Sequence, residues 1–354
     1  SSCRRSSKSG AWWCVNPVPP PSDRAADAIR ILISREAAAK LSNRIAQAIG
    51  DRAHELVHPD QAAATSAQVA FVSRDVTGLS TKHRIVPQTQ AVYDVLTASR
   101  SLRWMHVHSA GADRHIYEAV HARGVTVTTS SGANAPVVAQ TAVLGLLSLA
   151  RHWPTLLAAQ RERRWAPLLA TGLPRDLQGQ TAVLVGWGPV GKEIGRLLQA
   201  LGLQVVVVRR SSASSGPGVQ SVAATALHEV LPSADWLVLA CALTADTRGM
   251  IGARELALLP AHCGVVNISR GDVIDESELI DALSAGRLAG AYLDVFAQEP
   301  LPEDSPLWNL PNVIVTPHSA GFSDGNEERV AVMFLANLDR WARGEPLRNR
   351  VGAA

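Results

Sequence analysis

Two polar side chains follow apolar runs that favour buried strands. Arg270 comes two residues after the end of the run 264–268, and His318 comes two residues after the end of the run 312–316. Because the carboxyl ends of parallel strands line the cleft of an open α/β sheet, both side chains are expected to face a ligand there. A guanidinium binds a carboxylate through two parallel hydrogen bonds, and an imidazolium donates a proton to an oxygen. The alternative interpretation is a solvated arginine and a structural histidine.

A glycine-rich turn predicts a nucleotide site. The run 181–185 favours a buried strand, a helix is predicted over 189–201, and a second strand over 204–208. Within the turn, Gly186 permits a tight bend, Gly188 lets the backbone approach a pyrophosphate, and Gly191 lets the helix pack closely. The amino end of the helix attracts phosphate, and proline is favoured in its first turn. The residues predicted to contact a dinucleotide here are Gly186, Trp187, Gly188, Pro189, Val190 and Gly191.

The end of the second strand indicates which dinucleotide binds. An acidic residue usually stands there, accepts hydrogen bonds from the adenosine ribose, and repels a 2′-phosphate. This chain has Arg209, Arg210 and Ser211 instead. A guanidinium holds a phosphate through charge-assisted hydrogen bonds, so we expect NADPH to be preferred, with NAD possible as the cofactor. A pair of solvated surface arginines is the alternative.

Composition restricts the class of protein. The chain has 354 residues, of which 47% are hydrophobic and 18% charged, with a formal net charge of +3. This length suits two domains, and without a basic stripe we expect no nucleic acid partner. The apolar stretch 136–150 is too short to span a bilayer, so we expect a buried helix and no membrane association. The four cysteines lack metal-binding spacing, which predicts no metal site and a reducing, cytoplasmic location.

Strand and helix patterns alternate along the chain, which indicates α/β layers with parallel strands. The predicted fold is two Rossmann-like or flavodoxin-like domains with parallel sheets and an active-site cleft between them. Residues 1–28 form a predicted disordered leader. Residues 29–131 and 318–354 form a predicted substrate domain, and residues 132–317 a dinucleotide-binding domain. Strands are predicted at 29–34, 69–73, 104–108, 181–185, 204–208, 234–241, 264–268, 290–294 and 312–316.

Four motifs, in this order, resemble the D-isomer-specific 2-hydroxyacid dehydrogenase family. The resemblance extends from about residue 29 to residue 347 and therefore covers nearly all of the chain except the predicted leader. The motifs are GWGPVG at 186–191, VNISRG at 266–271, LDVFAQEP at 293–300 and TPHSAG at 316–321.

The resemblance implies a reaction. Members of the family reduce small 2-keto acids, such as glyoxylate or hydroxypyruvate, to D-2-hydroxy acids with hydride from a nicotinamide. It assigns Arg270 to the substrate carboxylate and carbonyl, and His318 to proton transfer. It pairs Glu299 with His318, which would fix the ring tautomer and keep the ring protonated near neutral pH. It also implies that the backbone of Ser109, Ala110 and Gly111 binds the substrate carboxylate.

The resemblance extends to the cofactor and the assembly. It implies that Asp294 meets the nicotinamide carboxamide, that Ile268 packs near the ring, and that Cys241 and Thr247 border the adenosine half. A homodimer is expected. The chain departs from the family pattern at Gln140, where relatives frequently have glutamate, and in the turn 241–244, which lacks the common proline.

Two other functions remain open from the sequence. One is phosphite or formate oxidation on the same fold, although the formate branch carries glutamine where this chain has Glu299. The other is a corepressor-like module that senses NAD(H) without catalysis. The substrate is also open: Arg74 could recognise a second acidic group and Trp165 an aromatic one, or either could be a surface or packing residue.

Overall fold

A computed structural model describes residues 28–81, 84–170, 172–211, 214–216 and 218–352. The predicted leader, apart from residue 28, lies outside the described residues. The remaining chain forms two parallel sheets with helices packed on them.

The first sheet has five parallel strands in the order β2-β1-β3-β4-β5. Its strand order reverses between β1 and β3, as in flavodoxin-like sheets. Ser34 caps the first helix by accepting a hydrogen bond from the backbone of Ala37 at 3.0 Å. The elements are β1 (Ile29–Leu32), α1 (Arg35–Ile49), β2 (His54–Val57), β3 (Val69–Val72), α2 (Arg74–Thr77), α3 (Pro87–Ala98), β4 (Trp104–Val107), α4 (His115–Ala122) and β5 (Thr126–Thr129).

The second sheet has seven parallel strands in the order β12-β11-β10-β9-β6-β7-β8. Its order reverses between β6 and β9, as in a Rossmann sheet, so the predicted fold class is confirmed. The elements are α5 (Ala135–Ala150), α6 (Trp153–Arg161), β6 (Thr181–Val185), α7 (Pro189–Ala200), β7 (Gln204–Arg209), β8 (Val219–Ala223), α8 (Leu227–Val230), β9 (Trp236–Leu239), α9 (Ala253–Leu258), β10 (Gly264–Asn267), α10 (Glu276–Ser284), β11 (Gly290–Leu293), β12 (Val313–Val315) and α11 (Asn326–Ala342).

Helix α5 packs against β10, β11 and α7 through a buried apolar face. Gly145 is required at this contact because a Cβ atom there would overlap the ring of Tyr292 on β11. Across the described ranges, no single helix is long and apolar enough to cross a membrane. Taken together, α5 and α6 have the length and the apolar composition of a membrane-spanning segment, but the two helices are bent by 71° relative to each other.

Helix α11 packs on α1 beside the first sheet, although it follows the second sheet in sequence. Phe334 stacks on Phe71 with ring centroids 4.3 Å apart. At the surface, Lys40 and Arg44 of α1 form ion pairs with Glu327 and Glu328 of α11. The contact is therefore an apolar core with charged pairs at its edge.

A buried histidine lies beneath this aromatic contact. The ring of His106 is fully buried and hydrogen-bonds Thr128 Oγ1 at 2.8 Å and Ser130 Oγ at 3.0 Å. Burial lowers the pKa of His106 to about 3, because a charged imidazolium is poorly solvated there. The folded protein therefore holds this ring neutral.

This neutral ring predicts acid sensitivity. An unfolded histidine titrates near 6.5, so the stability contributed by neutral His106 is present above pH 6.5 and is lost as pH falls towards 3. Between pH 7.5 and 5.0, the wild-type unfolding free energy should lose about 2 kcal/mol more than that of His106→Gln. Urea unfolding at both pH values measures this difference. The exposed His115→Gln should behave like the wild type, and equal losses in all three proteins would contradict the prediction.

Candidate active site

The carboxyl ends of both sheets contribute side chains to one cleft. Arg270 follows β10, and His318 follows β12, at the carboxyl end of the second sheet. The segment that contains Ser109, Ala110 and Gly111 follows β4 of the first sheet. Contacts between loops of the two domains, Thr81 with Glu299 and Asp113 with Arg270, show that these ends face each other.

Arg270 joins the two sheets through an ion pair. Its Nε and Nη2 donate to the two carboxylate oxygens of Asp113 at 2.9 and 3.2 Å, and its Nη1 donates to the Ser269 carbonyl at 2.7 Å. Burial opposes the charge, but the hydrogen bond and charge of Asp113 outweigh it and raise the pKa of Arg270. A Cβ atom at position 111 would overlap the guanidinium, so any other residue there would displace Arg270 from this arrangement. Ser109 Oγ donates to the Gly111 carbonyl at 2.7 Å and so orders this segment.

His318 and Glu299 form a hydrogen-bonded pair. Nδ1 of the ring lies 2.8 Å from Glu299 Oε2. The Glu299 side chain is only 9% exposed, whereas that of His318 is 47% exposed. The other carboxylate oxygen of Glu299 accepts from the Phe296 backbone at 3.2 Å, and the Glu299 carbonyl accepts from Thr81 Oγ1 of the first sheet's domain at 3.0 Å. The pair therefore leaves Nε2 of His318 as the ring nitrogen available to a ligand.

Asp294 holds the turn that carries His318. Its carboxylate accepts hydrogen bonds from Thr316 Oγ1 at 2.6 Å, Ser319 N at 2.8 Å and Ala320 N at 3.0 Å. Its carbonyl accepts from His318 N at 2.8 Å. Burial raises the pKa of Asp294, although these hydrogen bonds act in the opposite direction. The backbone of His318 has a φ of 51°, and this network stabilises that unfavourable left-handed conformation.

The network continues to helix α5. The hydroxyl of Tyr292 lies 2.7 Å from Thr316 Oγ1, and because Thr316 donates its own hydrogen to Asp294, Tyr292 donates to Thr316. Burial raises the pKa of Tyr292 to about 12, so this donor stays protonated. The Tyr292 ring occupies the space beside Gly145 of α5. The position of α5 is therefore linked to the position of the turn that carries His318.

Four side chains of these networks were not predicted from the sequence: Thr81, Asp113, Tyr292 and Thr316. Asp113 lies two residues after the predicted carboxylate-binding segment, and Thr316 begins the TPHSAG motif, so their positions in motifs are the available signal. Tyr292 directly precedes the LDVFAQEP motif. Its partner Gly145 lies far away in the sequence, so local spacing does not predict their contact.

The glycine turn has the geometry of a phosphate-binding loop. Gly186 has a φ of 104°, and a Cβ atom there would overlap the backbone of Cys241. A Cβ at Gly191 would overlap the Gly186 carbonyl, whereas the space beside Gly188 is open. Open space at the amino end of α7 lets a phosphate approach the backbone. These residues therefore fit the dinucleotide inferred from the sequence.

The other predicted cofactor residues surround this turn in different environments. Pro189 and Val190 begin α7, and the Trp187 ring packs on Gly195 of that helix. Arg209 ends β7 half-buried, and Arg210 and Ser211 are exposed. Burial raises the pKa of the Cys241 thiol to about 11. Thr247 Oγ1 donates to the Ala242 carbonyl at 2.7 Å and holds that turn, and Ile268 is buried in the core beside the sheet.

Among the residues that the structure describes, no group of three or more His, Cys, Asp or Glu side chains is arranged to hold a metal ion.

Comparisons with known proteins identify the family. The sequence model of a protein family, described as D-isomer specific 2-hydroxyacid dehydrogenase, NAD binding domain, matches residues 143–320. Glyoxylate reductase of Korarchaeum cryptofilum is 33% identical over 259 residues, which are 71% of this chain and 76% of that protein. D-3-phosphoglycerate dehydrogenase of Archaeoglobus fulgidus is 30% identical over 264 residues, which are 75% of this chain but only 50% of that protein.

Solved structures show the same arrangement. A D-isomer specific 2-hydroxyacid dehydrogenase from Xanthobacter autotrophicus Py2, in complex with NADPH and MES, has a TM-score of 0.73 and 28% identity, covering 92% of this chain and 98% of that one. The NADPH-dependent glyoxylate/hydroxypyruvate reductase from Sinorhizobium meliloti, in complex with NADP and sulfate, has a TM-score of 0.70 and 25% identity, with the same coverage. The chain belongs to the D-isomer specific 2-hydroxyacid dehydrogenase family of oxidoreductases.

Proposed function

We propose that this protein is an NADPH-preferring reductase that converts small 2-keto acids to D-2-hydroxy acids. The observation that carries the proposal is the convergence of Arg270 and the His318–Glu299 pair at the facing ends of the two sheets. Glyoxylate and hydroxypyruvate are the first substrates to test, because the similar proteins from Korarchaeum cryptofilum and Sinorhizobium meliloti are named for them.

Arg270 binds the substrate in this proposal. Two of its nitrogens are committed to Asp113, which orients the planar guanidinium towards the segment with Ser109, Ala110 and Gly111. The charge attracts the substrate carboxylate and polarises the adjacent carbonyl. Backbone N–H groups of the glycine-containing segment supply further donors, and the absence of a side chain at position 111 keeps them accessible.

His318 supplies the proton. The Nδ1–H group donates to Glu299, so the acidic hydrogen sits on Nε2 of a protonated ring. That hydrogen passes to the carbonyl oxygen as negative charge develops there. Glu299 stays ionised, holds the ring orientation and stabilises the imidazolium. In the oxidative direction, neutral Nε2 takes the proton back.

A nicotinamide dinucleotide fits the second sheet and would supply the hydride. The open space at Gly188 and the amino end of α7 would accept its pyrophosphate. Arg209, Arg210 and Ser211 would face the adenosine ribose and its 2′-phosphate, Cys241 and Thr247 would border the adenosine half, and Ile268 and Asp294 would lie near the nicotinamide.

Replacing Glu299 tests the proton transfer. In Glu299→Gln the amide does not stabilise the charged ring, so kcat for glyoxylate or hydroxypyruvate reduction should fall about 100-fold, with little change in KM. The pH at which the rate declines should move to lower values, because protonation is then less favourable. Steady-state rates between pH 5 and 9 measure both effects. The exposed Glu303→Gln is the matched control, and an unchanged profile in Glu299→Gln would contradict the assigned role.

Replacing the arginines after β7 tests the cofactor preference. Arg209→Gln with Arg210→Gln removes two cations from the proposed 2′-phosphate site, so the ratio of kcat/KM for NADPH to that for NADH should fall about 10- to 100-fold. Arg196→Gln, an exposed change on α7, should leave the ratio unaltered. Equal kcat/KM for the two cofactors in the wild type would refute the preference.

We also propose that the protein is a homodimer. Six large apolar side chains between residues 144 and 173 are exposed to solvent: Leu144, Trp153, Leu157, Trp165, Leu169 and Leu173. Trp165 is 95% exposed. Exposed apolar side chains concentrated in one segment favour a protein interface, and a second copy of the chain is the proposed occupant.

Light scattering tests the assembly. The wild type should have twice the chain mass of 37.6 kDa, and Leu144→Glu combined with Trp165→Glu should lower the mass towards that of one chain, because charges are poorly tolerated in an apolar interface. Val332→Glu, at an exposed position on α11, is the control. A wild type that stays monomeric at micromolar concentration would exclude the dimer.

A further inference from the structure

Tyr292 is a buried phenol on β11 to which the proposed mechanism gives no role. Its side chain is 2% exposed, and its ring fills the space beside Gly145 of α5. Its hydroxyl lies 2.7 Å from the hydroxyl of Thr316, which comes directly after β12. Packing therefore fixes the ring, and the ring directs the hydroxyl towards the turn that carries His318.

Thr316 connects Tyr292 to the carboxylate of Asp294. Thr316 Oγ1 lies 2.6 Å from Asp294 Oδ1, and the same Oδ1 accepts from Ser319 N at 2.8 Å. Both lone pairs of Oδ1 are therefore used. The second carboxylate oxygen accepts from Ala320 N at 3.0 Å. All three partners of the carboxylate are donors, and an ionised carboxylate requires donors.

The hydroxyl hydrogens match the hydrogen bonds of this row when Asp294 is ionised. Tyr292 and Thr316 each carry one hydroxyl hydrogen, and the two contacts of the row need one each. A proton on Oδ1 of Asp294 would add a third hydrogen to the same two contacts. A buried polar hydrogen without an acceptor is unfavourable. The row therefore favours the ionised carboxylate, whereas burial acts in the opposite direction and raises the pKa of Asp294.

Tyr292 contributes to this balance in two ways. Its hydrogen occupies one lone pair of Thr316 Oγ1, so the hydrogen of Thr316 is turned towards Asp294. Donation to an oxygen also polarises the O–H group of that oxygen and makes it a stronger donor. Because burial raises the pKa of Tyr292 to about 12, the phenol keeps its hydrogen at neutral pH.

Other charged side chains stand at the same end of the sheet. His318 follows β12, and its positive charge lowers the pKa of Asp294. Glu299, in the loop after β11, is hydrogen-bonded to the His318 ring, and Arg270, after β10, is paired with Asp113. The charge of Asp294 in turn favours the protonated His318 ring, which is the form that the proposed function requires.

We propose, resting on the proposed function, that Tyr292 is a positioning residue for proton transfer. Its hydroxyl fixes Thr316 as a donor to Asp294, and the ionised Asp294 carboxylate holds the turn that presents His318 to the cleft. A protonated Asp294 would accept fewer hydrogen bonds from this turn and would no longer stabilise the charged ring. Tyr292 therefore extends the activity of the enzyme to lower pH.

Tyr292→Phe tests this inference, because it removes the hydroxyl and keeps the ring beside Gly145. Loss of the donor should raise the pKa of Asp294. The acidic midpoint, at which kcat for glyoxylate or hydroxypyruvate reduction falls to half its maximum on the acidic side, should then move to higher pH by at least about 0.5. Below the midpoint, this shift lowers kcat about threefold. Steady-state rates between pH 4.5 and 9 measure the profile.

Two other parameters should stay unchanged in Tyr292→Phe. The alkaline midpoint should not move, because Glu299 still holds the His318 ring. The KM for the keto acid should change less than about twofold, because Arg270 keeps its contacts with Asp113. A shift confined to the acidic side distinguishes Tyr292→Phe from Glu299→Gln, in which the alkaline side should move.

Variants of Thr316 show whether Tyr292 acts through this residue. Thr316→Val should move the acidic midpoint upward by more than Tyr292→Phe does, and Thr316→Ser should keep it near the wild-type value, since serine retains the hydroxyl. Tyr292→Phe combined with Thr316→Val should match Thr316→Val alone, because both changes interrupt the same row. Tyr117→Phe, which removes the hydroxyl of a buried tyrosine on α4, is the matched control and should keep the wild-type profile.

The outcomes separate this inference from the proposed function. A Tyr292→Phe profile that superimposes on that of an active wild type would overturn the inference alone. So would shifts that add in the double variant, or an equal shift in Tyr117→Phe. A wild type that turns over no 2-keto acid, glyoxylate included, would instead overturn the proposed function and the inference together.

Discussion

The buried carboxylate of Asp294 is the group on which the geometry of the cleft depends. A carboxylate in this position is tolerated only when hydrogen bonds replace water, and the turn after β12 supplies them through Thr316, Ser319 and Ala320. The same bonds hold His318 in a left-handed backbone conformation that it would not otherwise favour. Its ring is thereby presented to Glu299 and to the cleft.

The site is divided between two domains, and side chains of the first domain contact site residues of the second. Asp113 reaches from the first sheet to Arg270, and Thr81 reaches to the Glu299 carbonyl. Both contacts cross the cleft, so relative motion of the domains would move the segment with Ser109, Ala110 and Gly111 with respect to Arg270 and His318. Tyr292, which packs against Gly145, extends this dependence to helix α5.

The central strands of both sheets were predictable because they are buried on both faces and appear as continuous apolar runs. The strands without a prediction, β2, β5 and β8, all lie at sheet edges. They carry polar residues, as in HELV, TVTT and VQSVA, since an edge strand needs less apolar surface. The ends of the predicted strands were less accurate than their existence. The predicted strand 234–241 is Trp236–Leu239 in the structure, because the apolar residues Ala234, Ala240 and Cys241 extend past the end of the ladder.

Local sequence by itself determined the glycine turn, the order of strands and helices, and the placement of Arg270 and His318 after strands. These features depend on the conformational freedom of glycine and on hydrophobic periodicity. Both are properties of residues that are neighbours in the sequence. Only the tertiary structure decided that Asp113 pairs with Arg270, that Tyr292 packs against Gly145, and that the Arg74 guanidinium lies over the ring of Phe322. Such pairings join residues far apart in the chain, and packing rather than spacing determines which charges and rings meet.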